Sequence, residues 1–280
     1  LDEANRSAGP SCGHPRMAEP MSPRTLQQYG ILDEFPSAPD GSSPEASWSQ
    51  TYRFWGGHGW IDVGYKSLGV IRIERQAGAD DTIPFRIEQQ VVYQGGIVHK
   101  LAADVEARND TTASLVSWNL SSEMTRTDGS VDPRLSLRVS GTADPDRGEV
   151  NLNTGESGQQ IVRVSHPLVC EWTLLDAVQR LPFAPLEPFG FEMLEGLSAL
   201  KRGFHIAYRE RPEDELEHGP KLHRFYALGR GQLPTDFWVD DHHRVCLAIS
   251  GSRAWILDDE AGAIFAESVE NQRKGGGYHV

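Results

Sequence analysis

The stretch that decides the fold covers residues 84–93 and reads Pro84-Phe85-Arg86-Ile87-Glu88-Gln89-Gln90-Val91-Val92-Tyr93. Apolar and polar residues alternate along it, with Phe85 and Ile87 on one face and Arg86 and Glu88 on the other. Successive side chains of a strand point to opposite faces, so this period of two predicts a half-buried strand. Gly95-Gly96 follows and predicts a hairpin turn, because glycine reaches positive φ without steric cost.

The same alternation recurs on both sides of this stretch. It predicts further strands over 48–55, 67–76, 97–108, 114–125, 135–142, 149–153, 159–164, 204–210, 221–229, 232–239, 244–250 and 253–257. A meander of this size curls into an open barrel or splits into two packed sheets. We therefore predict a mainly β, antiparallel fold of one of these two kinds.

One interlude breaks the alternation and predicts one or two short helices between residues 169 and 203. From 170 to 181 apolar residues recur every three positions, and Pro182 ends the pattern. A second candidate helix covers 191–202, with Leu194, Leu197 and Leu200 on one stripe and Gly203 placed to end it.

Composition divides the chain into three parts. Residues 1–47 are rich in Pro, Gly and Ser and predict an N-terminal arm, residues 48–260 predict a single β-rich domain, and residues 261–280 predict a C-terminal tail. The net charge of -13 argues against nucleic acid as a partner, and no apolar run is long enough for a membrane span. Because free-standing β meanders are frequent outside the cytoplasm, we expect an exported bacterial protein, periplasmic or extracellular.

Three cysteines allow at most one disulfide bond. A bridge between Cys170 and Cys246 would join the helix to a late strand. Alternatively, both are buried thiols in apolar segments, which is the interpretation their neighbours favour.

The segment from 237 to 245 contains two carboxylates and two imidazoles in a row, Asp240-Asp241-His242-His243. Such groups bind transition metals or transfer protons. Adjacent histidines seldom chelate one ion, however, and the apolar runs on either side require a reversal of the chain here. A solvated hairpin turn therefore explains the segment, and we predict no metal site and name no cofactor.

Five residues on the late strands form a candidate catalytic set if the sheet curls and brings them together: His205, Tyr208, His223, Arg224 and Tyr226. Histidine or tyrosine would abstract a proton and arginine would neutralise a carboxylate of an acidic polysaccharide. Strand histidines are more often packed or surface residues, so the non-catalytic alternative stays open.

Aromatic and imidazole side chains also suggest ligand contacts. The candidates are Trp55, His58, Trp60, His99 and Trp238. Trp48, Tyr52 and Phe54 share one parity and line either the core or a groove that stacks on sugar rings or lipid chains.

The segment 233–240, Leu-Pro-Thr-Asp-Phe-Trp-Val-Asp, is followed by a polar turn and by the apolar strand 244–249, Arg-Val-Cys-Leu-Ala-Ile. This closing hairpin resembles that of exported bacterial β-rich domains of unknown function of the DUF3108 type. The resemblance covers the last fifth to quarter of the chain. It implies a curved, unclosed barrel with a binding role and carries over no catalytic residue.

Three functions remain open at this point. The first is an exported, non-catalytic binding or envelope-associated protein whose ligand is an apolar small molecule or a glycan. The second is a carbohydrate-active enzyme, a polysaccharide lyase or hydrolase, that uses the His/Tyr/Arg set. The third is a structural subunit that docks on a protein partner through its N-terminal arm.

Overall fold

The computed structural model describes residues 21–56, 67–78, 81–93, 96–126, 128–155, 158–185, 187–209, 216, 218–251 and 253–274. Its strands are β1 (Trp48–Gly56), β2 (Gly69–Arg75), β3 (Thr82–Tyr93), β4 (Ile97–Arg108), β5 (Leu115–Thr125), β6 (Leu137–Asp144), β7 (Glu149–Asn153), β8 (Gln159–Arg163), β9 (Leu168–Val169), β10 (Phe189–Glu195), β11 (Ala199–Tyr208), β12 (Leu222–Leu228), β13 (Thr235–Asp240), β14 (Val245–Ser250) and β15 (Arg253–Leu257). The helices are α1 (Pro23–Gln28), α2 (Glu171–Gln179) and α3 (Ala261–Arg273).

All fifteen strands form a single sheet in the order β8-β7-β6-β5-β4-β3-β2-β1-β15-β14-β13-β12-β11-β10-β9. The pairs are antiparallel except for β9 with β10. The predicted mainly β fold with an antiparallel meander is therefore confirmed.

The inner face of the sheet is filled with side chains. Large apolar residues from strands far apart in the sheet, such as Tyr52, Phe85, Trp118 and Phe225, pack with Trp172 of α2 into one core. The sheet must therefore curl around α2, and its concave side is a packed core in the described residues rather than a hollow lined for a ligand.

The sheet stays open between its two edge strands, β8 and β9. Side chains bridge this seam: Arg202 donates to the carbonyl oxygen of Arg163 at 2.7 Å and pairs with Glu192, whose carboxylate also accepts from the backbone N–H of Ser165. Glu192 is 3% exposed. Side-chain contacts thus hold together edges that backbone pairing does not join.

The predicted helix over 191–202 is wrong. This segment belongs to the β10–β11 hairpin, which turns at Gly196 and Leu197 with φ of 55° and 54°. Leu194 pairs with Leu200 across the hairpin, and Leu197 is buried at its tip. A tight turn that buries Leu194 and Leu197 and partly buries Leu200 therefore has leucines at the same spacing as a helical stripe.

Two further segments cover the outer face of the sheet. Leu26, Ile31 and Leu32 of the arm pack on an apolar patch that contains Trp55 and Trp238. The first part of the predicted tail forms α3, whose Phe265 packs against Val92 and Val98. No helix among the described residues has the length and apolar character needed to cross a membrane.

The carboxyl group of Glu171, at the start of α2, accepts a hydrogen bond from the N–H of Gly196 at 3.0 Å. Burial raises the pKa of Glu171 from 4.5 to about 7. Because the pKa is higher in the folded state than in the unfolded state, the protonated carboxyl favours folding. This contribution to the free energy of unfolding is complete below pH 4.5 and is lost as the pH rises through 7.

We therefore expect the free energy of unfolding of Glu171→Gln, measured relative to that of the wild type, to be higher above pH 7 than at pH 5. The expected increase is about 2 kcal/mol after allowance for partial exposure. Urea unfolding at both pH values measures it. Glu88→Gln changes an exposed glutamate and serves as the control. A pH-independent difference for Glu171→Gln would contradict the prediction.

Candidate functional site

The part of the arm that the structure describes is anchored by three arginines of the sheet. Each arginine pairs with an aspartate of the domain at 2.8 or 2.9 Å and also donates to a backbone carbonyl of the arm. The pairs are Arg53–Asp258, Arg244–Asp240 and Arg75–Asp176, which bind the carbonyl oxygens of Ile31, Pro36 and Ala46 at 2.6, 2.7 and 2.6 Å, respectively. Buried guanidinium groups thus fix the arm on both sides of residues 37–44.

Residues 37–44 roof a cavity of about 400 Å³, which we call the arm-roofed cleft. Its floor and walls come from the start of β1, the end of α2 and the hairpin between β13 and β14. They include Trp48, Gln50, Gln179, His242 and His243. Five serines of the arm and β1 complete a lining of mixed polar and apolar surface: Ser37, Ser42, Ser43, Ser47 and Ser49.

Two residues of this lining each carry a side-chain donor without a partner among the described residues. The donors are Nε1 of Trp48 and Nε2 of Gln179, both shielded from water. Gln179 is 1% exposed, and its Oε1 accepts from Nε2 of Gln50 at 2.7 Å. Leaving a buried donor unpaired costs about 1–3 kcal/mol, which a ligand with acceptor oxygens would recover.

His243 lies in the wall of the cleft in a strained conformation. Its φ is 61°, where glycine is the usual residue, and its ring stacks on Phe183 at 4.2 Å. Nδ1 lies 2.8 Å from the carbonyl oxygen of Gln179, so it must carry the proton. In the tautomer that carries its single proton on Nδ1, Nε2 is an acceptor.

Residues 240–243 form the predicted turn between β13 and β14, but Asp240 is buried rather than solvated. The carboxylate of Asp240 accepts from the backbone N–H groups of His242 and Arg244, and the N–H of His243 donates to the carbonyl of Asp240. Among the described ranges no group of three or more His, Cys, Asp or Glu side chains is placed to hold a metal ion. Cys170 and Cys246 are both free, buried thiols, as the apolar interpretation predicted.

The structure brings together only part of the candidate catalytic set. Tyr208 and His223 lie on the inner face, where the Tyr208 hydroxyl is 3.2 Å from His223 Nδ1. His223 Nε2 lies 2.8 Å from the carboxylate of Asp241, so Nε2–H donates and Nδ1 accepts from the phenol. Phe183 stacks on the His223 ring at 3.8 Å and separates it from His243.

The hydrogen-bonded group of Tyr208, His223 and Asp241 does not include the other three members of the set, which are His205, Arg224 and Tyr226. They alternate with Tyr208 and His223 along β11 and β12 and therefore point to the outer face. There Arg224 pairs with Asp236 at 2.8 Å and lies over Trp238. The five candidate residues therefore do not all converge, because neighbours on a strand point to opposite faces.

None of the predicted ligand contacts that the structure describes lines the cleft. Trp55 and Trp238 are 4% and 1% exposed beneath the arm and belong to the core, which was the alternative left open for such aromatics. His99 lies on β4, where burial lowers its pKa. His58 and Trp60 lie outside the described residues.

Sequence reasoning did not single out Gln50 and Gln179. Gln50 shares the inward parity of Tyr52, which donates to it at 2.7 Å. A polar residue at an inward position of a strand is a signal of a buried amide, but its partner on α2 lies 129 positions away.

Fold and site together describe a β-barrel-like protein with a cleft of mixed polar and apolar lining under its arm. No family model and no curated protein matches the chain. One solved structure that it resembles is a β-barrel-like protein of domain of unknown function DUF1849 from Brucella abortus, 10% identical over 75% of this chain and 94% of that chain, with a TM-score of 0.47.

A second solved structure is a DUF1089 family protein from Pseudomonas aeruginosa, 14% identical over 77% of this chain and 95% of that chain, with a TM-score of 0.34. Both are domains of unknown function, as predicted in general terms. Neither is described as DUF3108, so that resemblance stays a prediction. At these identities and TM-scores, neither structure bears on the function of this chain.

Proposed function

We propose that this chain is a non-catalytic binding protein that takes a neutral glycan in the arm-roofed cleft. The observation that carries the proposal is the pair of buried, unpartnered donors, Trp48 Nε1 and Gln179 Nε2, in the lining of a cavity of about 400 Å³. This volume falls within the range of small-molecule sites. Export to the periplasm or the exterior belongs to the same proposal.

The chemistry of the lining favours a glycan over an apolar ligand. Serine hydroxyls and glutamine amides match the hydroxyl groups of a sugar, since each can donate and accept. The charged residues of the lining have both signs, with Asp40 and Asp259 beside Arg244. This mixture favours a neutral sugar over a uronic acid.

A second candidate function is a carbohydrate-active enzyme, which the Tyr208–His223–Asp241 chain favours. Asp241 would orient the imidazole, and His223 would take the phenolic proton so that the tyrosinate acts as a base. Arg224 was expected to neutralise a substrate carboxylate beside these three residues, but it lies on the other face of the sheet. No observation favours the structural-subunit alternative, since the described part of the arm packs on its own sheet.

We expect neutral oligosaccharides to raise the unfolding temperature of the protein in a panel that also holds uronic-acid oligosaccharides, fatty acids and divalent metals. A ligand at 100 times its Kd adds about 2.7 kcal/mol of stability. A shift with fatty acids alone would contradict the glycan ligand. Cleavage of a panel sugar by the wild type but not by Tyr208→Phe would establish the catalytic alternative instead.

A further inference from the structure

The roof of the arm-roofed cleft differs from the rest of the arm in how it is held. We call residues 37–44, Ser-Ala-Pro-Asp-Gly-Ser-Ser-Pro, the strap. On its N-terminal side, Leu26 and Leu32 are buried in the outer apolar patch. The strap itself contributes no residue to the apolar core, and six of its eight residues are exposed.

Hydrogen bonds of the strap are local. Ser42 N–H donates to the carbonyl of Pro39 at 3.1 Å, and the Ser43 carbonyl accepts from Ala46 N–H at 3.2 Å. Among the described residues, no backbone group of the strap bonds to the sheet. The fixed points are the carbonyls of Pro36 and Ala46, which Arg244 and Arg75 hold.

A segment with few buried contacts opens at a small free-energy cost, whereas its anchored ends do not. Gly41, at the middle of the strap, has φ of 72°, and no atom lies within 4 Å of the position a Cβ would take there. Opening there would widen access to the cleft that Trp48 and Gln179 line, and both residues carry a buried donor without a partner among the described residues.

We propose that the strap is a gate, which opens between its two arginine-held ends to admit the glycan and closes over it. The gate rests on the proposed function for the identity of what enters. The anchors give it a defined hinge at each end, so the rest of the arm stays docked while the strap moves.

Amide hydrogen exchange of the full chain tests the gate. We expect the amides of Asp40, Gly41 and Ser43 to exchange at least 100-fold faster than those of Leu26 and Leu32 in the free protein. The neutral oligosaccharide with the largest thermal shift should slow the strap amides at least tenfold. The exposed turn at 128–130, remote in sequence from the cleft, is the internal control and should not respond.

Strap amides as protected as those of Leu26 and Leu32 in the free protein would overturn the gate, because the strap would then be a fixed roof. Fast exchange that slows with a saccharide supports both the gate and the glycan. Fast exchange that no panel sugar alters supports the gate alone and counts against the proposed ligand.

Discussion

Replacing Asp176 by asparagine is expected to lower the free energy of unfolding by about 3–5 kcal/mol. Asp176 is fully buried on α2 and pairs with Arg75 and Arg180, each at 2.9 Å. Both arginine side chains are themselves at least nine-tenths buried. The substitution would leave two buried cations without their common counter-charge.

Burial raises the pKa of Asp176, while the two arginines lower it. The ion pairs are therefore costly to bury, and their role is to fix α2 and, through Arg75, the arm rather than to add net stability. Loss of one partner is nevertheless expensive, because the others stay buried.

Urea unfolding of the full chain measures the effect. Asp144→Asn is the matched control, since the Asp144 side chain is 44% exposed and pairs with Arg147 at 3.5 Å, a contact worth less than about 1 kcal/mol. Equal losses for the two variants would show that the buried cluster does not hold the helix to the sheet.

The strands could be predicted because alternation is a local property of the sequence. Residues 84–93 and 97–108, for example, form β3 and β4 with pairing along their full length. The error at 191–202 arose where local spacing was ambiguous. Leucines three apart fit a helical stripe, and they also fit a hairpin that buries its tip.

The alternation of side chains also predicts which face of the sheet each strand residue points to. Applied to the candidate catalytic residues, it separates those on the inner face from those on the outer face. His223 and Arg224 are neighbours on β12, so both could not point inward. That Tyr208 and His223 lie on the same face becomes clear only once the register of β11 and β12 is known. In that register Tyr208 pairs with Phe225.

The cleft could not be predicted, because it forms between segments that are distant in sequence. The composition of the arm is typical of a disordered segment, and nothing local shows that Arg244 and Pro36, 208 positions apart, are hydrogen-bonded. The partners of the arm become visible only once the sheet has placed its arginines.

The most direct test of the central claim, that a neutral glycan binds under the arm, is calorimetric titration of the best panel oligosaccharide into three proteins. These are the wild type, Gln179→Met, which removes a buried donor at similar volume, and Asn119→Ala, which changes another cavity of about 520 Å³ on the outer face. Unfolding curves confirm that each variant is folded.

We expect Gln179→Met to weaken binding at least tenfold, a loss of about 1.4 kcal/mol or more, because the ligand no longer pairs with the amide. Asn119→Ala should bind as the wild type does. Unchanged affinity in a folded Gln179→Met protein, or a loss confined to Asn119→Ala, would contradict the account.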